Sequence, residues 1–278
     1  MPIRNIIFQK GEHARFVNIM KSIKLPHVHL YLISGIHLVL ALCTASVFAG
    51  ELHLAVAANF TQPLKQHLKP QFETDSGHRL IISFGGTGHL YTQIKYGAPF
   101  DLFLAADMKR PEKLVSEGLA GSLFTYAEGQ LVLWSPDPDI IDSFGKILST
   151  GHQRLAIAHP KMAPYGAAAK QVLEKLGLWK RLQRQRQIVR GNNVSQAYQF
   201  TATGNAQLGF IALSQYQATP ESLRGSHWQV PKNLYSPIRQ GAVLLKRGQN
   251  NPAAKAFIAF LQSDSARQTI EKLGYVVP

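Results

Sequence analysis

The chain has 278 residues, 45% of them hydrophobic and 17% charged, with a formal net charge of +14. That length is enough for one large domain or two lobes with real cores, and the composition excludes a disordered or fibrous chain. The basic balance admits nucleic acid, an anionic membrane or small anions as partners.

The N-terminus differs from the rest. Residues 31–48 are apolar apart from small or weakly polar residues and His37, with Lys21 and Lys24 before them and Val47-Phe48-Ala49 at the end. This three-part layout predicts a secretory signal peptide over residues 1–49, with a mature start near Gly50 or Glu51. Counted from Met20 the leader has ordinary length, which makes the first 19 residues a candidate start-site extension. A membrane anchor is the competing reading, disfavoured by an apolar core short for a spanning helix. A lipid on Cys43 is weaker still, because bulky Leu42 precedes it. Cys43 is the sole cysteine, so a chain without its leader has no disulfide, thiol nucleophile or cysteine metal site. The leader holds five Lys/Arg and one acid, which leaves the remainder near +10. An exported chain has little access to nucleic acid, which favours small anions.

From residue 51 strand-like and helix-like segments alternate, as in α/β proteins. A buried strand is predicted over 52–57 and a helix over 61–75, with Leu64, Leu68 and Phe72 on one face and Pro63 in its first turn. A strand over 80–84, a short helix over 89–96 and a strand over 101–105 follow, with Asp107 as a cap. Another strand is predicted over 130–134, before Ser135-Pro136-Asp137-Pro138-Asp139 breaks the pattern. Next come a strand over 155–158, a helix over 166–176 stopped by Gly177, a strand at 188–189, a helix over 194–203 and a strand over 208–212. A strand over 241–246 and helices over 253–261 and 265–273 close the chain. The basic run Lys180-Arg181-Leu182-Gln183-Arg184-Gln185-Arg186 reads as a solvated helix end and loop, since no aromatics interleave with it.

Four helix-opening turns stand out because they are polar and uncharged. Two lie early, at Asn59 and at Thr87 within Ser83-Phe84-Gly85-Gly86-Thr87-Gly88. Two lie later, at Tyr165 after Pro164 and at Asn193-Val194. A strand-to-helix turn aims backbone N–H groups outward at the positive end of the helix dipole, which suits an anion. Gly166 would let a ligand approach the backbone. Pairing the turns by lobe predicts two lobes closing on one ligand; the bounds expected with the family resemblance given below are 50–129 as the first segment of lobe 1, 130–235 as lobe 2 and 236–278 as the closing segment of lobe 1. No carboxylate lies at the four turns. Hydrogen phosphate carries a proton that wants an acceptor, whereas a fully ionised dianion needs only donors, so sulfate-like and molybdate-like ions are favoured. Asp101 and Asp107, near a neighbouring turn, weaken that argument.

The segments Ala55-Val56-Ala57-Ala58-Asn59-Phe60, Ser83-Phe84-Gly85-Gly86-Thr87-Gly88, Gly97-Ala98-Pro99-Phe100-Asp101-Leu102-Phe103-Leu104-Ala105-Ala106-Asp107, Ala163-Pro164-Tyr165-Gly166 and Leu208-Gly209-Phe210 together resemble the periplasmic molybdate-binding proteins of ABC transporters. The resemblance spans about residues 50–278. It implies a two-lobed periplasmic-binding-protein-like α/β fold of type II, each lobe a mixed sheet flanked by helices, with the ligand in the cleft. It implies molybdate, and tungstate, held as an oxyanion by Asn59, Thr87, Tyr165 and Val194, with an inner-membrane ABC permease as partner, no further cofactor, a periplasmic location and a monomer. Many members carry serine at the first two positions, so Asn59 and Thr87 are changes within the polar donor class. Many also carry a tyrosine at the position of Ala212. Either Tyr165 supplies that hydroxyl from the other turn, or the donor is lost.

Two other classes stand beside this one. A binding protein for sulfate or a small organic anion would share the turns. An enzyme is disfavoured: the sequence holds no HExxH, GxSxG or Walker loop, Gly86-x-Gly88 is a lone fragment, and the seven histidines beyond the leader show no close metal-ligand spacing.

Overall fold

The computed structural model describes residues 49–150 and 152–278. The leader, the start-site extension and Cys43 fall on residues 1–48, outside the described residues.

Strand β1 (Glu51–Ala57) runs into a tight turn, Ala58–Phe60, and then helix α1, whose α-helical ends Thr61–Pro63 and Lys69–Ser76 are joined by a π-helical turn at Leu64–Leu68. Strand β2 (Arg79–Gly85), helix α2 (Thr87–Lys95), strand β3 (Leu102–Leu104), helix α3 (Lys109–Ser116) and strand β4 (Ala120–Gly129) follow. Strand β10 (Ile238–Leu245) completes the first sheet, in the order β2-β1-β3-β10-β4. The second sheet is built from β5 (Leu131–Ser135), β6 (Leu155–Ala158), β7 (Ile188–Gly191), β8 (Leu208–Ala212) and β9 (Ser226–Gln229), in the order β7-β6-β8-β5-β9. Its helices are α4 (Pro164–Lys175), α5 (Trp179–Arg184), α6 (Val194–Ala202) and α7 (Leu213–Ala218). Helices α8 (Pro252–Gln262) and α9 (Asp264–Lys272) end the chain.

Each sheet is mixed. In the first, β1 pairs parallel with β2 and β3 while β10 runs antiparallel to β3 and β4. In the second, β6 is parallel to β7 and β8 while β5 is antiparallel to β8 and β9. The expected two-lobed α/β fold is therefore present. The chain crosses between sheets twice, at Gln130 between β4 and β5, and over 230–237 between β9 and β10.

The strand periodicity sorts the core. Leu52, Leu54 and Val56 pack with Phe60, Phe72 and Phe257 on one face of the first sheet, while Ala55, Phe103 and Val243 pack with Leu90 and Leu114 on the other. Both faces are covered, which explains the near-continuous apolar runs of the central strands. In the second sheet Leu133, Ile157 and Phe210 share one cluster, and Val132, Trp134 and Ile211 share another.

Strands β4 and β9 and helices α3 and α7 add to the elements expected from the sequence. β4 contains Gly121, Ser122 and Thr125 and is largely half-buried, so its apolar alternation is weak. The basic run 180–186 is the end of α5 and the turn after it, as expected, but it is not wholly solvated: Leu182 is buried and the Arg181 guanidinium donates to the carbonyls of Ser149 and Leu148 at 2.7 and 2.8 Å. Asp107 does cap, accepting from the Arg110 amide at 3.1 Å.

Candidate functional site

The four polar turns all lie where the sheets face each other. The first leaves β1 at Ala57 and buries Asn59 to 2% exposure. The Asn59 amide donates to Gln240 Oε1 at 2.9 Å and to the Tyr275 hydroxyl at 3.1 Å. Its carbonyl accepts from the hydroxyls of Tyr275 at 2.9 Å and Ser214 at 3.2 Å, and the neighbouring Ala58 carbonyl accepts from Ser195 at 3.2 Å. Ser195 and Ser214 belong to α6 and α7, so the turn is gripped from the other lobe.

The second turn caps α2 with extended Gly86, and Thr87 is buried behind it. The Ala106 amide donates to Thr87 Oγ1 at 3.1 Å. The third turn opens α4 with Ala163 extended, Pro164 in the first turn and Tyr165 buried. The fourth opens α6: Asn193 caps it by accepting from the Gln196 amide at 3.0 Å, which places Val194, also buried, as the first helical residue.

Three contacts bring the turns together. The Gly88 amide donates to the Met162 carbonyl at 2.9 Å, joining the second turn to the third. A methyl on Gly86 would stand 3.1 Å from the Asn192 carbonyl oxygen, so the second turn also abuts the fourth. Asn59 and Tyr165 meet through Gln240, whose Nε2 donates to the Tyr165 hydroxyl at 3.4 Å. Ala57, Ala106, Tyr165, Val194 and Ala212 share one apolar cluster, which dries the region.

The electrostatics are those of neutral donors. Burial pushes the Tyr165 phenol well above its ordinary range, helped by the nearby Tyr275, Tyr126 and Tyr235. Burial acts the same way on Tyr126 and Tyr275. All three stay protonated at neutral pH. The two carboxylates near the site are engaged elsewhere. Asp101 accepts from the His53 amide at 2.9 Å and pairs with Arg247, and Asp107 pairs with Arg110. Arg110 in turn donates to the Lys161 carbonyl at 2.8 Å across the cleft. A groove of about 810 Å³ opens on that side, lined by Asp107, Arg110, Glu112, Lys161 and Arg239 among others, and Asn59, Thr87, Tyr165 and Val194 are not part of its lining.

Gly166 has another task than the one expected. A methyl there would sit 2.2 Å from the Ala158 carbonyl oxygen, so the glycine lets α4 pack on the end of β6. Ala212 is fully buried, and its amide donates to Gln215 Oε1 at 3.1 Å; its methyl side chain offers no hydroxyl. Sequence reasoning missed Gln240, Tyr126, Tyr275 and Ser214. Each lies far along the chain from its partner, and only Tyr275 carries a local hint, as an aromatic just after the last helix.

Two α/β lobes with helix N-termini converging on the cleft between them define a solute-binding protein. The sequence model of the bacterial extracellular solute-binding protein family matches residues 52–276, and the chain belongs to that family. It is 52% identical over 230 residues to the molybdate-binding protein ModA of Azotobacter vinelandii, covering 82% of this chain and 90% of that protein. It is 51% identical over 230 residues to ModA of Rhodobacter capsulatus, covering 82% and 89%. The solved structure of the periplasmic molybdate-binding protein of Azotobacter vinelandii superposes with a TM-score of 0.77 at 44% identity, over 82% of this chain and 99% of that one.

Proposed function

We propose that this protein captures molybdate, and tungstate, in the periplasm and delivers it to an ABC import permease of the inner membrane, with no catalysis of its own. The relatives above are named for molybdate binding and, in the solved case, for a periplasmic location. We assign the oxyanion to Asn59, Thr87, Tyr165 and the Val194 amide, with Asn59 acting through its backbone N–H because both protons of its side-chain amide go to Gln240 and Tyr275. The hinge then lies at the two crossovers, Gln130 and 230–237, with lobe 2 between them.

One observation carries this reading. The hydroxyl oxygens of Thr87 and Tyr165 each accept a hydrogen bond from within the protein, from the Ala106 amide and from Gln240. Their own protons are what they have left to offer. A site of protons without facing carboxylates suits a fully ionised tetrahedral dianion and penalises hydrogen phosphate, whose proton would go unpaired. Desolvation of the ion is offset by charge-assisted hydrogen bonds from groups already in place. Closing the lobes then excludes water and presents one compact surface to the permease.

Calorimetric titration of the chain without residues 1–49 against molybdate, tungstate, sulfate and phosphate tests this directly. Saturable binding of molybdate and tungstate with weak or no response to phosphate is expected. Tight sulfate binding with no molybdate heat would sink the assignment.

A further inference from the structure

We propose that Gln240 is a positioning residue that aims the Tyr165 proton into the oxyanion site; the inference rests on the function proposed above. Gln240 is fully buried on β10, the strand that brings the chain back from the second sheet. A buried amide is costly unless its donors and acceptor are used. Its Oε1 accepts from Asn59 Nδ2 and from the Tyr126 hydroxyl, both at 2.9 Å. Asn59 sets which end of the amide is oxygen: the Tyr275 hydroxyl donates to the Asn59 backbone carbonyl and so accepts from Asn59 Nδ2, which turns the same nitrogen to Gln240. Nε2 is thereby turned toward Tyr165, 3.4 Å away.

The three buried phenols then differ in what they do with their protons. The Tyr126 proton has protein acceptors in Gln240 Oε1 at 2.9 Å and the Ala105 carbonyl at 3.3 Å, and Tyr275 donates to the Asn59 carbonyl. Tyr165 instead accepts from Gln240. An oxygen held by a donor on one side directs its own proton to another, and the cleft is where an acceptor arrives. Space around the pair is reserved as well. A methyl on Gly129 would lie 2.0 Å from the Tyr165 hydroxyl oxygen and 2.7 Å from Gln240 Nε2. One side chain thus ties Asn59 and Tyr165, two of the four proposed ligand groups, to the strand leaving the crossover.

The test is a double-mutant cycle read as molybdate affinity. Wild type, Gln240→Met, Tyr165→Phe and the double variant are titrated after melting curves confirm folding. Gln240→Met is expected to weaken binding about tenfold, as is Tyr165→Phe, and Gln240→Met is expected to add less than about threefold in the Tyr165→Phe background. A purely structural role, or general loosening of the cleft, would cost the same in both backgrounds, and that additive result overturns the proposal. Gln240→Glu serves if the methionine variant does not fold. It keeps the shape and the acceptor but removes the donor, and charge repulsion would persist without the Tyr165 hydroxyl whereas a positioning effect would not. Wild-type binding with Gln240→Met within about twofold overturns this inference alone. No molybdate binding by wild type overturns the proposed function and this inference with it.

Discussion

The amide of Gly88 donates to the carbonyl of Met162 at 2.9 Å, from the first turn of α2 to the loop before α4. These segments pack against different sheets, so the bond exists only with the lobes together. A methyl on Gly88 would stand 2.9 Å from that carbonyl oxygen, which leaves glycine as the residue that permits the approach. The cleft is held by backbone here and by the Arg110 guanidinium on the Lys161 carbonyl nearby.

Arg110→Met removes that second tie. Because that bond spans the lobes, its loss should appear mainly in release of the ligand, while loss of the Arg110–Asp107 pair within one lobe accounts for a small fall in stability. The dissociation rate of molybdate is expected to rise by roughly two- to tenfold, with only the small fall in melting temperature that loss of the Asp107 pair brings. Stopped-flow release into excess tungstate measures it; an unchanged rate would remove Arg110 from the closing contacts.

Gly129→Ala should damage the site from behind. Gly129 lies on β4 outside the positive-φ glycines, so alanine strains no backbone there and acts through its methyl alone. That methyl meets the Tyr165 hydroxyl. The expected cost is about 1–3 kcal/mol of stability together with weaker binding, seen by urea denaturation and calorimetry on one preparation.

Asn193→Ala removes the cap of α6. A lost cap costs about 1 kcal/mol and frees the first turn, where the Val194 amide is proposed to meet the anion. Denaturation midpoints should fall, and molybdate affinity should fall with them. Asn193→Asp keeps the cap acceptor, so it should retain stability while its negative charge weakens anion binding.

The buried phenols set an alkaline limit. Burial raises Tyr126 and Tyr165 well above the usual range and Tyr275 above it also. Below about pH 10 these groups are protonated in both folded and unfolded chains. Above it the unfolded chain releases protons that the folded chain keeps, so stability falls as pH rises, by about 1.4 kcal/mol per pH unit for each group. Urea denaturation should show no tyrosine-dependent loss up to about pH 10 and a decline beyond it, shallower in Tyr126→Phe. A decline as steep in that variant would contradict the account.

Much of the fold was legible because its signals are short-range. Apolar runs such as Leu52, Leu54 and Val56 mark a buried strand within a few residues, and Asn193 announces a helix start three residues before the amide it caps. The four turns were legible for the same reason. β4 was hidden because half-buried strands with Gly121, Ser122 and Thr125 alternate weakly, and the burial of Leu182 in α5 because this single anchor sits in a basic run.

The sequence by itself determined the alternation of strands and helices, the four uncharged turns and the family to which they point. Only the tertiary structure decided how the donors are oriented. Asn59 and Gln240 are 181 residues apart, and Asn59 and Tyr275 216. Which proton faces the cleft depends on which oxygen is already bonded, and no local pattern encodes a bond between residues that only folding brings together.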